Sequence, residues 1–215
     1  MCSIIAGWET EVVKNLIDIN QHRGNFSYSY TEFENNKPSC QVKDFGDFNK
    51  SLIENNCYKI CHVQAPTGSL KEDIGRIHPV MNNKNMLWHN GIVTPRGIRH
   101  LQKMLITEEE FDTKLIFDSL EKFGFDILSD IEGLFACVYY NEEDFYIFRS
   151  KHAKIYIDDN MNISSEKFEN SFCIPYDTIY KIRLQDKSLE KICNFKTKRY
   201  NIVIQGDDIS NLIKL

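Results

Sequence analysis

The residue best suited to act as a nucleophile is Cys2, which directly follows Met1. Removal of the methionine would leave the thiol and a free α-amino group on one residue. Such an amine titrates at about 7.7 to 8.0 in short peptides, so part of it is neutral near pH 7 and can accept a proton. An N-terminal amine can therefore serve as the base that activates its own side chain. A cysteine at position 2 is weak evidence when taken alone.

A second candidate lies in the stretch NMLWHNGIV, where Asn90 is followed by Gly91. A side-chain amide beside a glycine N–H is one way to build an oxyanion hole, which stabilises the negative oxygen of a tetrahedral intermediate. Between apolar runs, however, Asn-Gly is more typical of a type I′ hairpin turn. Taken alone, the pair favours the turn.

Composition excludes several classes of protein. The net charge of the 215 residues is −5, with basic and acidic residues interleaved, so we expect no nucleic-acid partner. No run of eighteen apolar residues and no signal-peptide core is present, which predicts a cytoplasmic protein without a membrane partner. Seven cysteines without a CxxC pair argue against a disulfide framework and a zinc ribbon. We expect the six cysteines besides Cys2 to fill the core. We expect no metal and no cofactor.

The hydrophobic pattern predicts an α+β fold, with a few helices packed on antiparallel sheets. Helices are expected in TEVVKNLIDI, GIRHLQKML and DTKLIFDSLEKFG. The predicted strands are SIIAGW, FSYSYTEF, YKICHVQ, NMLWH, GLFACVYY, DFYIFRS, KIYID, TIYKIRL and LEKICNF. Trp88, Tyr139 and Tyr140 are predicted to be core aromatics, and His78 and His89 to be hydrogen-bonded structural histidines. The sequence does not decide whether the end of the chain, IQGDDISNLIKL, is helical.

Several motifs together resemble the class II glutamine amidotransferase domain, the glutaminase part of asparagine synthetase and glucosamine-6-phosphate synthase. In the order of that family they read MCSI, QHRGN, CHVQAPTG, IHPV before LWHNGIV, FDTKLIFDSLEKFG, IEGLFACVYYNEEDFYIFRS and NISSEKF. The resemblance extends to about residue 200, and we interpret 1–215 as a single domain.

The resemblance implies a four-layer αββα sandwich of the N-terminal nucleophile hydrolases. It also implies that Cys2 attacks the side-chain amide of glutamine, forms a thioester, releases ammonia and is freed by water as glutamate leaves. Asn90 and Gly91 match the oxyanion hole, and Arg23 matches an arginine near the nucleophile. Asp112 matches the acid that binds the α-ammonium of the substrate.

The remaining substrate-binding positions lie in the motif CHVQAPTG, which begins near His62 and ends near Thr67. Its third position is Gln64, where the family has an arginine that binds the α-carboxylate of glutamine. A guanidinium offers two parallel charged donors, and their loss weakens binding by about 1.5 to 3 kcal/mol, which is tenfold to a hundredfold in affinity. Arg76 is a candidate substitute, with a surface role as its other interpretation.

Three functions stay open at this point. The first is glutamine hydrolysis, with the ammonia passed to a separate synthase subunit, since the chain stops where the glutaminase domain of the family stops. The second is hydrolysis of another amide that lacks a free α-carboxylate, which Gln64 would permit. The third is a non-catalytic relative that binds a small amide or a protein. Retention of Cys2, Asn90-Gly91 and Asp112 favours an enzyme.

Overall fold

The computed structural model of the protein describes residues 2–65, 73–142 and 144–198. Within these residues the chain forms three α-helices and two antiparallel sheets. The helices are α1 (Thr10–Asn20), α2 (Pro95–Leu105) and α3 (Asp112–Phe123). The strands are β1 (Ser3–Gly7), β2 (Ser27–Glu34), β3 (Lys37–Phe45), β4 (Tyr58–Gln64), β5 (Val80–Met81), β6 (Asn85–Val93), β7 (Gly133–Asn141), β8 (Asp144–Arg149), β9 (Tyr156–Ile157), β10 (Ile163–Ser164), β11 (Phe172–Cys173), β12 (Thr178–Arg183) and β13 (Ser188–Asn194).

The two sheets differ in the order in which the chain connects their strands. The first, in the order β11-β9-β10-β1-β4-β2-β3, joins strands from both ends of the described chain, because β1 lies between β4 and β10. The second, in the order β13-β12-β8-β7-β6-β5, is largely a meander of neighbouring strands. The first strand of the chain is therefore hydrogen-bonded on both sides.

Three hydrophobic layers show how the elements stack. Helix α1 packs on the outer face of the first sheet through Val13, Leu16 and Ile17, which recur at helical spacing. Helices α2 and α3 cover the outer face of the second sheet. The inner faces of the two sheets meet in a third layer that includes Trp88 and Phe145. The order is helix, sheet, sheet, helix, so the predicted α+β, four-layer αββα fold is confirmed.

The helix boundaries follow from local sequence. The Thr94 hydroxyl accepts a hydrogen bond from the Gly97 N–H at 3.0 Å, and Pro95 occupies the first turn, where its missing N–H costs nothing. Helix α3 ends at Gly124, whose φ of 66° is left-handed and favours glycine. Each of the three predicted helices is present.

Other predictions need correction. Asn90 and Gly91 lie inside β6 and not in a hairpin turn, because β6 pairs with β7 over its whole length. Strand β3 was not predicted, since it is an edge strand with a polar sequence and an internal Pro38, which an edge tolerates. The prediction that six cysteines fill the core is wrong for Cys40 and Cys193, which are exposed.

Two predictions concern other parts of the chain. Trp88, Tyr139 and Tyr140 are buried, as predicted for core aromatics. No helix in the described ranges combines the length and apolar character that crossing a bilayer requires. The segment IQGDDISNLIKL lies outside the described residues.

Candidate active site

The position of Cys2 follows from its place directly before β1, the strand held by β4 and β10. The Cys2 thiol is partly buried, and its Sγ atom lies 3.9 Å from the carbonyl oxygen of Ala65, just beyond β4. The sheet therefore holds the thiol at the end of two neighbouring strands.

Arg23 fixes the main chain of the nucleophile candidate. It follows α1 in a short 3-10 helix, Gln21–Arg23, and its Nε donates to the Cys2 carbonyl oxygen at 3.1 Å. Its guanidinium also pairs with the Glu166 carboxylate, which comes shortly after β10. The structure thus brings Arg23 to Cys2, as the resemblance implied, and adds Glu166 as its partner.

Ser165 connects the two sheets at Ile4, two residues after Cys2. Its hydroxyl accepts from the Ile4 N–H in the first sheet at 3.0 Å and from the Asn90 Nδ2 in the second at 3.2 Å. Its own N–H donates to the Ile4 carbonyl oxygen at 3.0 Å. One serine therefore orients the Asn90 amide relative to the strand that carries Cys2. Ser165 was absent from the predicted site, although it lies in the motif NISSEKF that contributed to the resemblance.

Gly91 follows Asn90 at a point where only a glycine fits. A Cβ atom there would lie 2.0 Å from the Leu134 carbonyl oxygen on the neighbouring strand, far inside the contact distance. The close approach of the two backbones explains why an Asn-Gly pair lies within a strand.

Asp112 is the first residue of α3 and has both carboxylate oxygens in hydrogen bonds. One accepts from the Val93 N–H at 3.2 Å and the other from the Thr113 N–H at 2.8 Å. Its charge reaches Cys2: burial raises the pKa of the Cys2 thiol, Asp112 raises it further and Arg23 opposes the rise. The resting thiol is protonated at neutral pH, so a nucleophilic attack requires a base.

Three histidines lie behind these residues: His62 faces the second sheet, His78 precedes β5, and His89 lies on the face of β6 that α3 covers. His62 and His78 stack with ring centroids 4.1 Å apart, and the His62 Nε2 donates to the His89 carbonyl oxygen at 3.1 Å. Burial lowers the pKa of His62 to about 3, lowers that of His78 well below its usual value and lowers that of His89. All three are therefore neutral at pH 7. In the described part of the chain, no group of three or more potential ligands is placed to hold a metal ion.

Two predicted substrate-binding residues face the interior. The His62 side chain has no exposed surface, and Gln64 is 4% exposed. The Gln64 amide is already in hydrogen bonds: its Oε1 accepts from Ser27 Oγ at 3.3 Å, and its Nε2 donates to the Arg76 carbonyl oxygen at 3.1 Å. In this geometry both side chains have internal contacts, and their predicted role in substrate binding stays a prediction. Thr67 lies outside the described residues.

Arg76 ends the 3-10 helix Ile74–Arg76 and retains a half-exposed guanidinium. The guanidinium carbon lies 6.0 Å from the centroid of the Phe111 ring, and the Nε lies 3.8 Å from a carboxylate oxygen of Asp73. Because Phe111 directly precedes Asp112, the structure places a solvent-accessible cation next to the start of α3.

Comparison with known proteins adds a fold relationship. No protein-family profile and no curated protein matches the sequence. Among solved structures, glutamine phosphoribosylpyrophosphate amidotransferase from B. subtilis is similar over 89% of this chain and 49% of its own, with 16% identity and a TM-score of 0.67. An allosteric regulatory enzyme of purine biosynthesis is similar over 89% and 48%, with 14% identity and a TM-score of 0.69.

A third structure matches over nearly its whole length. It is a glutamine aminotransferase class-II domain protein from Silicibacter pomeroyi, with 10% identity, a TM-score of 0.54, and coverage of 91% of this chain and 99% of its own. This chain spans about half the length of the first two structures. At these identities the likeness establishes the fold, and it confirms the resemblance to class II glutamine amidotransferases at that level.

The buried histidines predict a loss of stability in acid. His62 has a pKa of about 3 when folded and about 6.5 when unfolded, so the unfolded chain binds more protons between these values. The free energy of unfolding should decrease as the pH falls from 6.5 towards 3, by about 1.4 kcal/mol per pH unit for this one group. The charged or titratable groups near His62 are His78, His89 and Lys43.

Urea unfolding at a series of pH values would measure this slope. His62→Gln, which keeps an amide donor for the His89 carbonyl, should flatten it, and His152→Gln at an exposed position serves as the matched control. An equal slope in His62→Gln and in the wild-type protein would contradict the assignment.

Proposed function

We propose that this chain hydrolyses the side-chain amide of glutamine to glutamate and ammonia through a thioester on Cys2. The observation that carries the proposal is that the Ser165 hydroxyl joins the Asn90 amide of the second sheet to Ile4 of the first, two residues after Cys2. Arg23 and Asp112 lie close enough for their charges to act on the thiol. The fold shared with glutamine amidotransferases supports the same conclusion.

The chemistry proposed for Cys2 needs a base, because the thiol is protonated at rest. The α-amine released by removal of Met1 takes the thiol proton as Sγ attacks the amide carbon of the substrate. The second N–H of the Asn90 amide and the Gly91 N–H then stabilise the oxyanion. Collapse of the tetrahedral intermediate breaks the C–N bond, and the protonated amine supplies the proton with which ammonia leaves.

Water completes the cycle. It attacks the thioester carbon and gives a proton to the α-amine, and the same oxyanion donors stabilise the second tetrahedral intermediate. The C–S bond then breaks, the thiol regains its proton and glutamate leaves. No redox partner or metal is needed to balance these steps.

Two charged side chains are proposed to orient glutamine. Asp112 would bind the α-ammonium group, and Arg76, whose guanidinium lies beside Phe111, would bind the α-carboxylate. The interior position of Gln64 supports this assignment, since its amide is committed to Ser27 and to the Arg76 main chain.

The same observation favours a second candidate function. Because Gln64 offers no charge to an α-carboxylate, the substrate of the same nucleophile could be an amide without that group. The two candidates differ in one contact, so a single kinetic comparison of glutamine with a carboxylate-free amide separates them.

Glutamate release tests the nucleophile. The Met1-processed protein, verified by its mass, should release glutamate from glutamine, and Cys2→Ala should release none while its free energy of unfolding changes by less than about 1 kcal/mol. Cys40→Ala, at an exposed cysteine, is the matched control and should retain full activity. Turnover in Cys2→Ala equal to that of the wild-type protein would rule out the thioester.

Substitution of Arg76 tests the proposed carboxylate contact. Arg76→Gln should raise the KM for glutamine about tenfold to a hundredfold, because a charge-assisted hydrogen bond is lost, and should leave a carboxylate-free amide unaffected. Arg96→Gln, at an exposed arginine on α2, is the control. An unchanged KM in Arg76→Gln would place carboxylate binding elsewhere.

We further propose that the ammonia passes to a separate synthase subunit. The name of the similar B. subtilis enzyme describes transfer of the amide group, which requires an acceptor. Purification of the tagged protein from its host should recover a synthase in stoichiometric amount. Recovery of the protein without any synthase, in repeated gentle preparations, would count against a stable partner.

A further inference from the structure

A buried hydrogen-bonded chain runs from the first sheet to α3 and has no role in the reaction described so far. Its members are Gln64 at the end of β4, His78 before β5, His89 in β6 and Thr113 at the start of α3. Each of the four side chains is at most 4% exposed. Polar groups buried this deeply are stable only when they are hydrogen-bonded to one another.

The direction of the first hydrogen bond follows from Gln64. Its Nε2 donates to the Arg76 carbonyl oxygen, so its Oε1 is the atom that lies 3.2 Å from the His78 Nδ1. A carbonyl oxygen only accepts, and therefore the His78 Nδ1 carries the proton. The neutral ring has one N–H, so its Nε2 is unprotonated and needs a donor.

The Thr113 hydroxyl is that donor. Its Oγ1 lies 2.9 Å from the His78 Nε2 and 3.0 Å from the His89 Nδ1. A hydroxyl has one hydrogen, and the unprotonated His78 Nε2 at 2.9 Å is a nearer acceptor for it than the Asp112 Oδ1 at 3.4 Å. The Thr113 oxygen then accepts from the His89 Nδ1. The chain is thus directional from Gln64 to Thr113: Gln64 sets the tautomer of His78, and the Thr113 hydroxyl favours the Nδ1–H form of His89.

The charge state of the rings agrees with this direction. Burial lowers the pKa of His78 and of His89, which keeps both rings neutral at pH 7. Protonation of His78 would place a second donor on Nε2, facing a hydroxyl whose own hydrogen already points there. The order of donors and acceptors therefore holds only for the neutral pair.

The chain ends next to Asp112. Thr113 donates its backbone N–H to the Asp112 carboxylate at 2.8 Å, and its hydroxyl ties the first turn of α3 to His78 and to β6. On the other side the Val93 N–H holds the second carboxylate oxygen. The orientation of Asp112 thus depends on where Thr113 is held.

We propose that Gln64, His78, Thr113 and His89 form a directional hydrogen-bond relay that positions the Asp112 carboxylate for the substrate ammonium. The proposal rests on the function proposed above, in which Asp112 binds that group. All four are positioning residues, since none of them contacts the substrate.

The relay also gives a physical reason for glutamine at position 64. The His78 Nδ1 needs an acceptor, and an arginine has donors only. A guanidinium at this position would face a donor in the interior without an acceptor between them. In this chain, the residue that replaces the arginine of the resembled family serves the relay.

The test compares three substitutions in α3. Thr113→Val removes the hydroxyl at nearly constant volume, Thr113→Ser restores it, and Ser119→Ala removes another buried hydroxyl of α3, one with no hydrogen-bond partner among the described residues. In ¹⁵N-labelled wild-type protein at pH 7, the imidazole resonances should show His78 and His89 as neutral Nδ1–H tautomers. The backbone amide resonance of Val93 reports the Asp112 contact.

In Thr113→Val we expect the Val93 amide and both imidazoles to change. We also expect the KM for glutamine to rise about fivefold to tenfold, the effect of one lost hydrogen bond, while kcat stays within about twofold. Thr113→Ser and Ser119→Ala should match the wild-type protein in spectrum and in KM.

Three outcomes would overturn the relay. They are a wild-type spectrum with either ring charged or in the Nε2–H form, an unchanged Val93 amide in Thr113→Val, and failure of Thr113→Ser to restore the wild-type values. Absence of glutamate release by the wild-type protein would contradict the proposed function alone, and the spectra would still decide the relay.

Discussion

The hydrogen bonding of β1 on both of its edges is the constraint on which the site depends. Strand β4 pairs with all five residues of β1, whereas β10 pairs with only Ile5 and Ala6. Directly after β10, Ser165 hydrogen-bonds to both main-chain groups of Ile4: its hydroxyl accepts from the N–H, and its own N–H donates to the carbonyl oxygen. The residue before the strand, Cys2, therefore has little freedom to move, although it is close to a chain end, where residues are usually mobile.

The space between the sheets has two chemically different ends. One end is filled by aromatic side chains such as Phe33, Trp88 and Phe145, whose rings meet edge to face. The other end contains His62, and beyond it His89 and Thr113 lie on the α3 side of β6, close to Asp112. Apolar packing can stabilise the first end by itself, whereas the buried polar groups of the second end depend on hydrogen bonds such as those between His78, Thr113 and His89. The candidate site lies at the end that depends on hydrogen bonds.

The local sequence predicted the helices and strands whose formation depends on neighbouring residues. Helix α1 follows from the spacing of Val13, Leu16 and Ile17, and β4 from a β-like run rich in apolar residues. Taken alone the Asn-Gly pair favours a turn, and only the resemblance implies its place in the site. Its position within β6 depends on the register with β7, including the approach of Gly91 to Leu134, which is a contact between residues about forty positions apart. The resemblance supplied the four-layer fold, which composition alone could not.

Residues that act through distant partners were the hardest to predict. Ser165 meets Ile4 across 161 positions, and no periodicity marks such a pair. For Gln64 the sequence shows only that an expected arginine is missing. Its role as an acceptor depends on the position of His78, which is joined to Pro79 by a cis peptide bond. Lys43 of β3 helps to hold His78, because its Nζ donates to the carbonyl oxygens of Ile77 and Pro79 on either side.

Electrostatics connects the relay to the nucleophile. Burial raises the pKa of the Cys2 thiol and the Asp112 charge raises it further, so the free site keeps the thiol protonated and thereby less open to oxidation. Under the proposed function, a substrate ammonium paired with Asp112 offsets that charge and favours the thiolate when an amide is present to be attacked. A carboxylate held in one orientation would then serve both recognition and activation. This argues that positioning Asp112 is worth the cost of burying two neutral histidines.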